Sequence, residues 1–296
     1  MRAKHEITRL MTAVRPYLTT EQIWRRYDAV ESRLTAPVSE RMLALAGLRA
    51  GMRVLDLATG RGEPALRAAH CVGPQGMVVG VEPSAASLQM AKEKAEGEGL
   101  TNLELREVDA ESFEGASLPG FHAVTVRWGL MYMASPVAAL VNSRRALLPT
   151  GVFVAALWAE PERVPYFTLP RHLLERYRPI PTIDPEAPGT FRHADLGRFV
   201  RDLNQAGLSL VHVEEMEVPV FEAATGAEMV EWVRAFGLTR LLNDLPENAQ
   251  QAWEQEFIVE LERRRTGALL QLGGVTRIVV ARPTAGAVQT AGSRGG

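Results

Sequence analysis

The stretch Val54 to Ala65, VLDLATGRGEPA, constrains this chain more than any other, because an apolar run passes through a glycine turn into a helix start. Val54, Leu55, Leu57 and Ala58 suit a short strand covered on both faces, as in a parallel sheet. Gly60 and Gly62 allow a tight turn and close approach of the backbone to a ligand. Pro64 falls where a first helical turn begins, a position at which its missing N–H costs nothing. Strand, glycine turn and helix in this order describe a loop for a nucleotide-type cofactor.

The rest of the chain repeats the alternation. Strands are expected at 52–58, 77–81, 103–108, 122–127 and 152–158, and helices at 64–71, 84–97 and 136–148. Regular alternation implies a parallel sheet with helices on both faces. Upstream, Ile23, Trp24, Tyr27, Val30 and Leu34 recur at helical spacing, Pro37 is expected to break the helix, and Met42, Leu43, Leu45 and Ala46 follow. After Trp158 the rhythm fails. Residues 160–193 are rich in proline and aromatic residues and read as an irregular lid or wall over the carboxyl edge of the sheet. Helix 194–206 and strand 208–221 restore the pattern, a helical excursion covers 225–266, and a last strand, GVTRIVVAR, covers 274–282. The domain reading is an N-terminal helical cap at 1–41 over the active site and a core at 42–159, 194–221 and 273–283. Lid or acceptor-binding insertions occupy 160–193 and 225–266, and a disordered tail occupies 284–296.

Composition narrows the partners. With 33 basic and 35 acidic side chains mixed along 296 residues, the formal charge is −2, and no basic patch suited to nucleic acid appears. One cysteine, Cys71, excludes an internal disulfide framework and agrees with a reducing compartment. It is expected to be a small buried or semi-buried packing residue. The N-terminal stretch lacks the apolar core of a signal peptide, and no run approaches the ~18 apolar residues of a membrane span. A cytoplasmic protein that acts on a small molecule, with no membrane span and with a homodimer allowed, is expected.

Two cofactors fit the loop. Gly60, Gly62 and Ala65 match G-x-G-x-x-A, and Glu82 ends the second strand 22 residues after Gly60, where an acid that binds ribose belongs. That much permits a nicotinamide dinucleotide and an oxidoreductase. Asp56, Glu63 and Glu82, however, would place up to three carboxylates around the crevice and repel a pyrophosphate, even with a helix N-terminus nearby. S-adenosylmethionine brings a sulfonium, an ammonium and a ribose, which suit acidic neighbours. Glu63 also has a plainer reading as a complement to the helix dipole.

With these residues in place the chain resembles a known family, the class I S-adenosylmethionine-dependent methyltransferases, in the small-molecule branch similar to ubiquinone and menaquinone biosynthesis C-methyltransferases. VLDLATGRGEPAL is similar to its first motif, with Ala58 in place of the first glycine. VVGVEPS (78–84) resembles the second-strand motif, EVDAESF (107–113) the third, AVTVRWGLMYM (123–133) the fourth strand with its active-site loop, and RRALLPTG (144–151) the approach to strand five. The resemblance implies a Rossmann-like, seven-stranded, mostly parallel α/β sheet with an antiparallel last strand, N-terminal helices and helical or lid insertions. It also implies that Glu82 takes both ribose hydroxyls, that Asp109 meets the adenine amino group and that the Ala110 backbone lies beside the ring. The cofactor-binding set is then Asp56, Ala58, Thr59, Gly60, Gly62, Glu82, Pro83, Asp109, Ala110 and Arg127, with S-adenosylhomocysteine as the product left behind.

Methyl transfer from a sulfonium is a direct displacement, so alignment and exclusion of water dominate. A phenol or aromatic-carbon acceptor must also lose a proton, for which Tyr27, Tyr132, His172 and His193 are the candidate bases. A surface position is expected for His172 and His193, and for His5, whereas His122 and His212 read as structural. Pocket-wall candidates are Tyr17, Trp24, Trp128 and Met131, and an apolar or aromatic acceptor methylated on carbon or oxygen suits such a wall. No metal-ligand spacing is visible. The competing classes are an NAD(P)-dependent oxidoreductase and an S-adenosylmethionine-binding module without catalysis.

Overall fold

A computed structural model of the chain describes residues 20–114, 120–180, 184, 186–265 and 267–284. The expectations placed on His5, Tyr17 and the tail from residue 285 lie outside the described residues.

The chain divides into two units. The larger, whose described residues are 32–114, 120–169, 184, 186–220 and 272–284, carries most of the sheet. Its strands are β1 (Arg53–Leu57), β2 (Met77–Glu82), β3 (Leu103–Glu107), β4 (Phe121–Arg127) and β5 (Leu147–Trp158). β6 (Leu208–Ala223) and β7 (Leu270–Pro283) complete the order β3-β2-β1-β4-β5-β7-β6. The first five strands pair in parallel, and β7 pairs antiparallel with β5, Trp158 opposite Thr276. The expected seven-stranded sheet, mostly parallel with an antiparallel last strand, is therefore present. Strand order reverses between β1 and β4, and at such a switch point the crevice beyond the carboxyl ends binds ligands in open α/β sheets.

The connecting helices are α2 (Ala65–Val72), α3 (Ala85–Gly97), α4 (Pro136–Ala146) and α6 (Leu196–Gln205). Ser84 caps α3 by accepting from the Ser87 N–H, and Asp195 caps α6 by accepting from Gly197. Pro64 is the residue before α2 rather than its first member. β1 is buried at Val54, Leu55, Asp56 and Leu57, the continuous burial of a strand covered on both faces.

Two expectations are corrected. Pro37 does not break the first helix, and α1 runs unbroken from Thr20 to Leu45. Ile23, Tyr27, Leu34, Val38 and Met42 form one buried stripe at helical spacing past it, while Pro37 itself is exposed. Water can then serve the carbonyl that Pro37 leaves without a donor, and burial of the stripe offsets the roughly 3 kcal/mol a helix-interior proline costs. Residues 160–193 are also not irregular throughout, since Pro165–Leu174 forms α5 with Pro165 at the start, where proline is tolerated.

The smaller unit is mainly helical. Its described residues, 20–31, 170–180, 221–265 and 267–271, contain α7 (Gly226–Val233), a π-helical turn Arg234–Leu238, α8 (Thr239–Asn243) and α9 (Glu247–Arg263). Thr225 and Glu228 close a capping box at the start of α7. The core is aromatic: Phe221 stacks on Trp232 at 4.2 Å, Tyr27 meets both edge-on, and Trp253 stacks on Phe257. The Trp253 indole N–H is satisfied by the Pro170 carbonyl at 3.1 Å.

Candidate functional site

At the switch point both central strands end on a residue in the left-handed region, Ala58 after β1 (φ 50°) and Trp128 after β4 (φ 54°). For a residue as bulky as Trp this conformation is costly and persists only where its surroundings fix it. They do so here. The Trp128 N–H donates to the Ala156 carbonyl at 3.0 Å, its indole N–H donates to Thr276 Oγ1 at 2.9 Å, and its ring stacks on Trp158 at 4.5 Å. Thr59 N–H donates to the Val81 carbonyl at 3.0 Å and ties the β1 turn to β2. Gly129 lies against Ala58 so closely that a Cβ there would overlap the Ala58 methyl.

Asp56 sits on β1 opposite Thr125 of β4 and is fully buried. Thr125 Oγ1 donates to Asp56 Oδ1 at 2.6 Å, whereas Oδ2 has no hydrogen-bond partner. Burial pushes the carboxyl up to about 7, against the pull of the Thr125 and Thr59 hydroxyls and the positive charge of Arg127. A carboxylate this poorly solvated, with one idle oxygen, favours positive charge beside it.

The glycine turn is built as its sequence demands. Gly60 and Gly62 adopt φ of 54° and 99°, and a Cβ on Gly62 would fall 2.7 Å from Leu66 Cδ1. Glu82, at the end of β2, accepts from the Gly60 N–H at 3.2 Å through Oε2 and from the Ser84 N–H at 3.1 Å through Oε1. Burial raises its pKa while these two bonds hold it down. Each oxygen keeps a lone pair for a further donor. Pro83, which follows, is exposed. Glu63 is instead taken by Arg67, whose Nε lies 3.1 Å from both of its oxygens. That pair gives Glu63 a local task at the start of α2, while its charge is still felt by Asp56.

Asp109 is exposed at the end of the β3 segment, and its Oδ1 accepts from the Glu111 N–H at 2.9 Å, closing a turn that presents the Ala110 backbone. Glu111 reaches on to the N–H groups of Ala134 and Ser135, the start of α4, whose own Ser135 side chain makes no cap. Asn142 Nδ2 donates back to the Ala110 and Glu111 carbonyls. The β3 turn and the segment after β4 are therefore one hydrogen-bonded assembly. Glu111 and Asn142 escaped the sequence reading, although an acid three residues before an expected loop is a weak capping signal at best.

Beyond β4, Arg127 Nη1 donates to Thr35 Oγ1 at 2.7 Å, and its guanidinium carbon lies 5.0 Å from the centre of the Trp128 ring. Trp158, Phe167 and Phe191 continue the aromatic row from Trp128. Met131 is fully buried, and its carbonyl accepts from the Gly189 N–H. Tyr132 is half exposed, with its hydroxyl 3.1 Å from Thr190 Oγ1. Thr125, Thr276 and Thr35 were also missed; a lone Thr in an otherwise apolar strand, as in AVTVR, is the signal that could have found Thr125.

The remaining candidates disperse. His193 is not on the surface: it is 1% exposed, packs on Phe199, and places Nε2 3.1 Å from Asp202 Oδ2, while Nδ1 has no partner. Burial pushes its pKa down despite Asp202, so a neutral ring is favoured. His172 is exposed on α5, 3.6 Å from Glu175. Tyr27 donates its hydroxyl to Glu231 at 3.4 Å within the helical unit, and burial followed by that carboxylate pushes its phenol up to about 12, which makes it a donor and not a base. Trp24 packs on Trp232 and Phe236 in the same core. His122 Nδ1 accepts from the Arg53 N–H, a structural bond, whereas His212 is exposed beside Glu214. Cys71, expected to be buried or semi-buried, is exposed, because the buried face of α2 is made by Ala65, Leu66, Ala68, Ala69 and Val72. Among the described residues no group of three or more His, Cys, Asp or Glu could hold a metal ion, and no helix is long and apolar enough to cross a membrane.

Comparison with known proteins agrees with this geometry. Residues 48–172 match the family described as Methyltransferase domain. The chain is 29% identical over 164 residues to the aklanonic acid methyltransferase DauC of Streptomyces sp. (strain C5), covering 52% of this chain and 74% of that protein. It is 32% identical over 120 residues to the ubiquinone/menaquinone biosynthesis C-methyltransferase UbiE of Pseudomonas fluorescens (strain Pf0-1), covering 40% of this chain and just under half, 46%, of that one. In fold it is similar to the crystal structure of a putative methyltransferase from Bacillus halodurans C-125, with 20% identity, 83% of this chain and 98% of that chain covered, and a TM-score of 0.54. Taken with the parallel sheet and its switch point, the family match identifies residues 48–172 as a methyltransferase domain.

Proposed function

We propose that the protein transfers the methyl group of S-adenosylmethionine to a carbon or oxygen atom of an apolar or aromatic small molecule by direct displacement. The observation that carries this reading is the Glu82 carboxylate, fixed by the Gly60 and Ser84 N–H groups with both oxygens still able to accept. Such a group is pre-oriented for the two neighbouring hydroxyls of a ribose. Asp109 and the Ala110 backbone would meet the adenine, and the turn Ala58, Thr59, Gly60 and Gly62 would follow the methionyl part. Asp56, buried behind that turn, would supply the negative field that a sulfonium and an ammonium prefer. When bound, the cofactor supplies an electrophilic methyl carbon on a sulfur that departs neutral.

The chain's own contribution is placement. Trp128, locked by Thr276 and Trp158, offers a rigid indole next to the switch point, and the row through Phe167 and Phe191 favours flat, apolar acceptors. Two relatives point the same way by name, one acting on aklanonic acid and one in quinone biosynthesis. None of the four base candidates is set up to take a proton. Tyr27 is held protonated, His172 is exposed beside Glu175, and His193 is shut away from solvent. The Tyr132 ring is half exposed, yet its hydroxyl is desolvated enough to push the phenol up. The nucleophile is therefore expected to enter already ionised.

Calorimetric titration with S-adenosylmethionine and S-adenosylhomocysteine tests the cofactor. Binding of neither, with binding of NAD(P) instead, would overturn the reading in favour of an oxidoreductase. Transfer of an isotopically labelled methyl group to any member of a panel of phenols, naphthols and hydroxyquinones separates an enzyme from a binding module.

A further inference from the structure

We propose that Arg127, which the family resemblance assigns to the cofactor, is instead the acceptor-recognition residue, and that the acceptor is a planar aromatic molecule carrying an anionic oxygen. This assignment rests on the methyl-transfer reading and adds the charge of the substrate to it. Arg127 is the last residue of β4, in register with Ala156 of β5, at the carboxyl edge beside the switch point. Its guanidinium is partly buried, and its charge is felt by Asp56. Among the described residues it makes one hydrogen bond, from Nη1 to Thr35 Oγ1, and no carboxylate lies within ion-pair distance of it. Most other arginines near the sheet are spent on carboxylates, as with Arg41 on Glu214, Arg67 on Glu63, and Arg277 on Glu160 and Glu215.

A guanidinium has five N–H donors in a rigid fork, so four remain to be satisfied in a partly buried position. The Thr35 bond and the stack over Trp128 hold the fork still, which lowers the entropy lost when an anion binds. The ligand that suits this arrangement pairs one negative oxygen with a flat ring, the oxygen on Arg127 and the ring beside Trp128 and Phe167, which are partly exposed and backed by the buried Trp158. The same arrangement answers the lack of a base. An ionised phenol, enol or carboxyl group attacks the methyl carbon through oxygen, forming the O–C bond as the S–C bond breaks and its electron pair returns to sulfur. Where a ring carbon attacks instead, the C–C bond forms and the displaced ring proton leaves to solvent. On the oxygen route anion and sulfonium enter and neutral product and neutral thioether leave, so Arg127 loses its counter-charge at the moment of transfer and the product is held more weakly than the substrate; on the carbon route loss of the ring proton regenerates the oxyanion, which stays on Arg127.

The test uses the full chain loaded with S-adenosylhomocysteine and two probes of one shape, 3-hydroxy-2-naphthoic acid and 3-hydroxy-2-naphthamide, titrated at pH 7.5 by calorimetry. The acid is expected to bind at least about tenfold more tightly than the amide. Arg127→Gln is expected to erase that preference, Arg127→Lys to keep part of it, and both to bind S-adenosylhomocysteine within about twofold of the unaltered protein. Equal binding of the two probes, binding of neither, or an unchanged preference in a folded Arg127→Gln protein would overturn the proposal. So would a loss of about tenfold or more in S-adenosylhomocysteine affinity in Arg127→Gln, because the guanidinium would then serve the cofactor's carboxylate. Failure of the unaltered protein to bind S-adenosylhomocysteine is a separate result that removes the methyl-transfer reading itself.

Discussion

Asp56 and Thr125 face each other across the β1–β4 pair at the centre of the sheet, with the Thr125 hydroxyl 2.6 Å from Asp56 Oδ1. Two neutral hydroxyls, Thr125 and the nearby Thr59, are a thin supply of partners for a buried carboxylate. The site thus carries a carboxyl group held close to its titration point at neutral pH, and folding and ligand binding both feel it.

The folded-state pKa of Asp56, about 7, lies above its ordinary value, so the native protein keeps a proton that the unfolded chain has lost. Stability therefore falls as pH rises from about 4 to about 7 and levels off above, by at most about 4 kcal/mol for a shift of this size. Asp56→Asn keeps an acceptor for Thr125 and cannot ionise. Its stability, from urea melts, should gain on that of the unaltered protein by about 3 kcal/mol between pH 5 and pH 8. Superimposable pH profiles would show that Asp56 is already charged in the empty protein.

Glu82 makes a second prediction, on binding rather than folding. Glu82→Gln keeps one oxygen for the Gly60 or Ser84 N–H but loses the charge and turns an NH2 group toward the other, and Glu82→Ala loses both bonds. Bonds to charged acceptors are worth roughly 1.5–3 kcal/mol each, so S-adenosylhomocysteine affinity should drop about a hundredfold in the alanine variant. A drop below about threefold would remove Glu82 from the cofactor site.

The element order and the glycine turn were legible because both are local. Alternating apolar runs define strands and helices without any knowledge of partners, and Gly60, Gly62 and Glu82 lie where a strand-turn-helix unit needs them. What stayed hidden is what the fold brings together from afar. Thr35 meets Arg127, Thr276 meets Trp128, and Glu111 reaches Ser135 across separations that leave no periodic trace. Pro37 misled because proline punctuates helices by default, and only the buried stripe on its far side, Val38 and Met42, overrides it. His193 misled because a histidine in a proline-rich segment gives no sign that Phe199 and Asp202 will enclose it.

His193 predicts a pH effect of the opposite sign to Asp56. Its folded pKa is lowered by burial, so the unfolded chain takes up the proton first as pH falls through about 6.5, and stability is lost on acidification. His193→Gln should show less of this loss between pH 7.5 and 5.5 while sharing every other titration. An equal acid-side loss in both proteins would mean that Asp202 keeps the imidazole charged in the fold.

Gly129 offers the sharpest test of whether the switch point tolerates any change of shape. It is partly buried between the ends of β1 and β4, and a Cβ there would overlap Ala58 and approach Val126 Cγ2 at 3.4 Å. Ala58 and Trp128, on either side of that contact, are both already in the left-handed region and have little room to yield. Gly129→Ala must therefore push the two turns apart, at a cost of about 1–3 kcal/mol in stability. The larger effect should be on methyl transfer, since the turn that follows β1 and the Trp128 platform would separate by a fraction of the reacting distance. A fall of about a hundredfold in turnover, with the fold retained by circular dichroism, is expected. Restoring space from the other side separates strain from any other cause: Ala58→Gly in the Gly129→Ala background removes the colliding methyl and should recover most of the lost stability and activity. If the double variant is no better than the single one, the contact between the two turns is not what aligns the site.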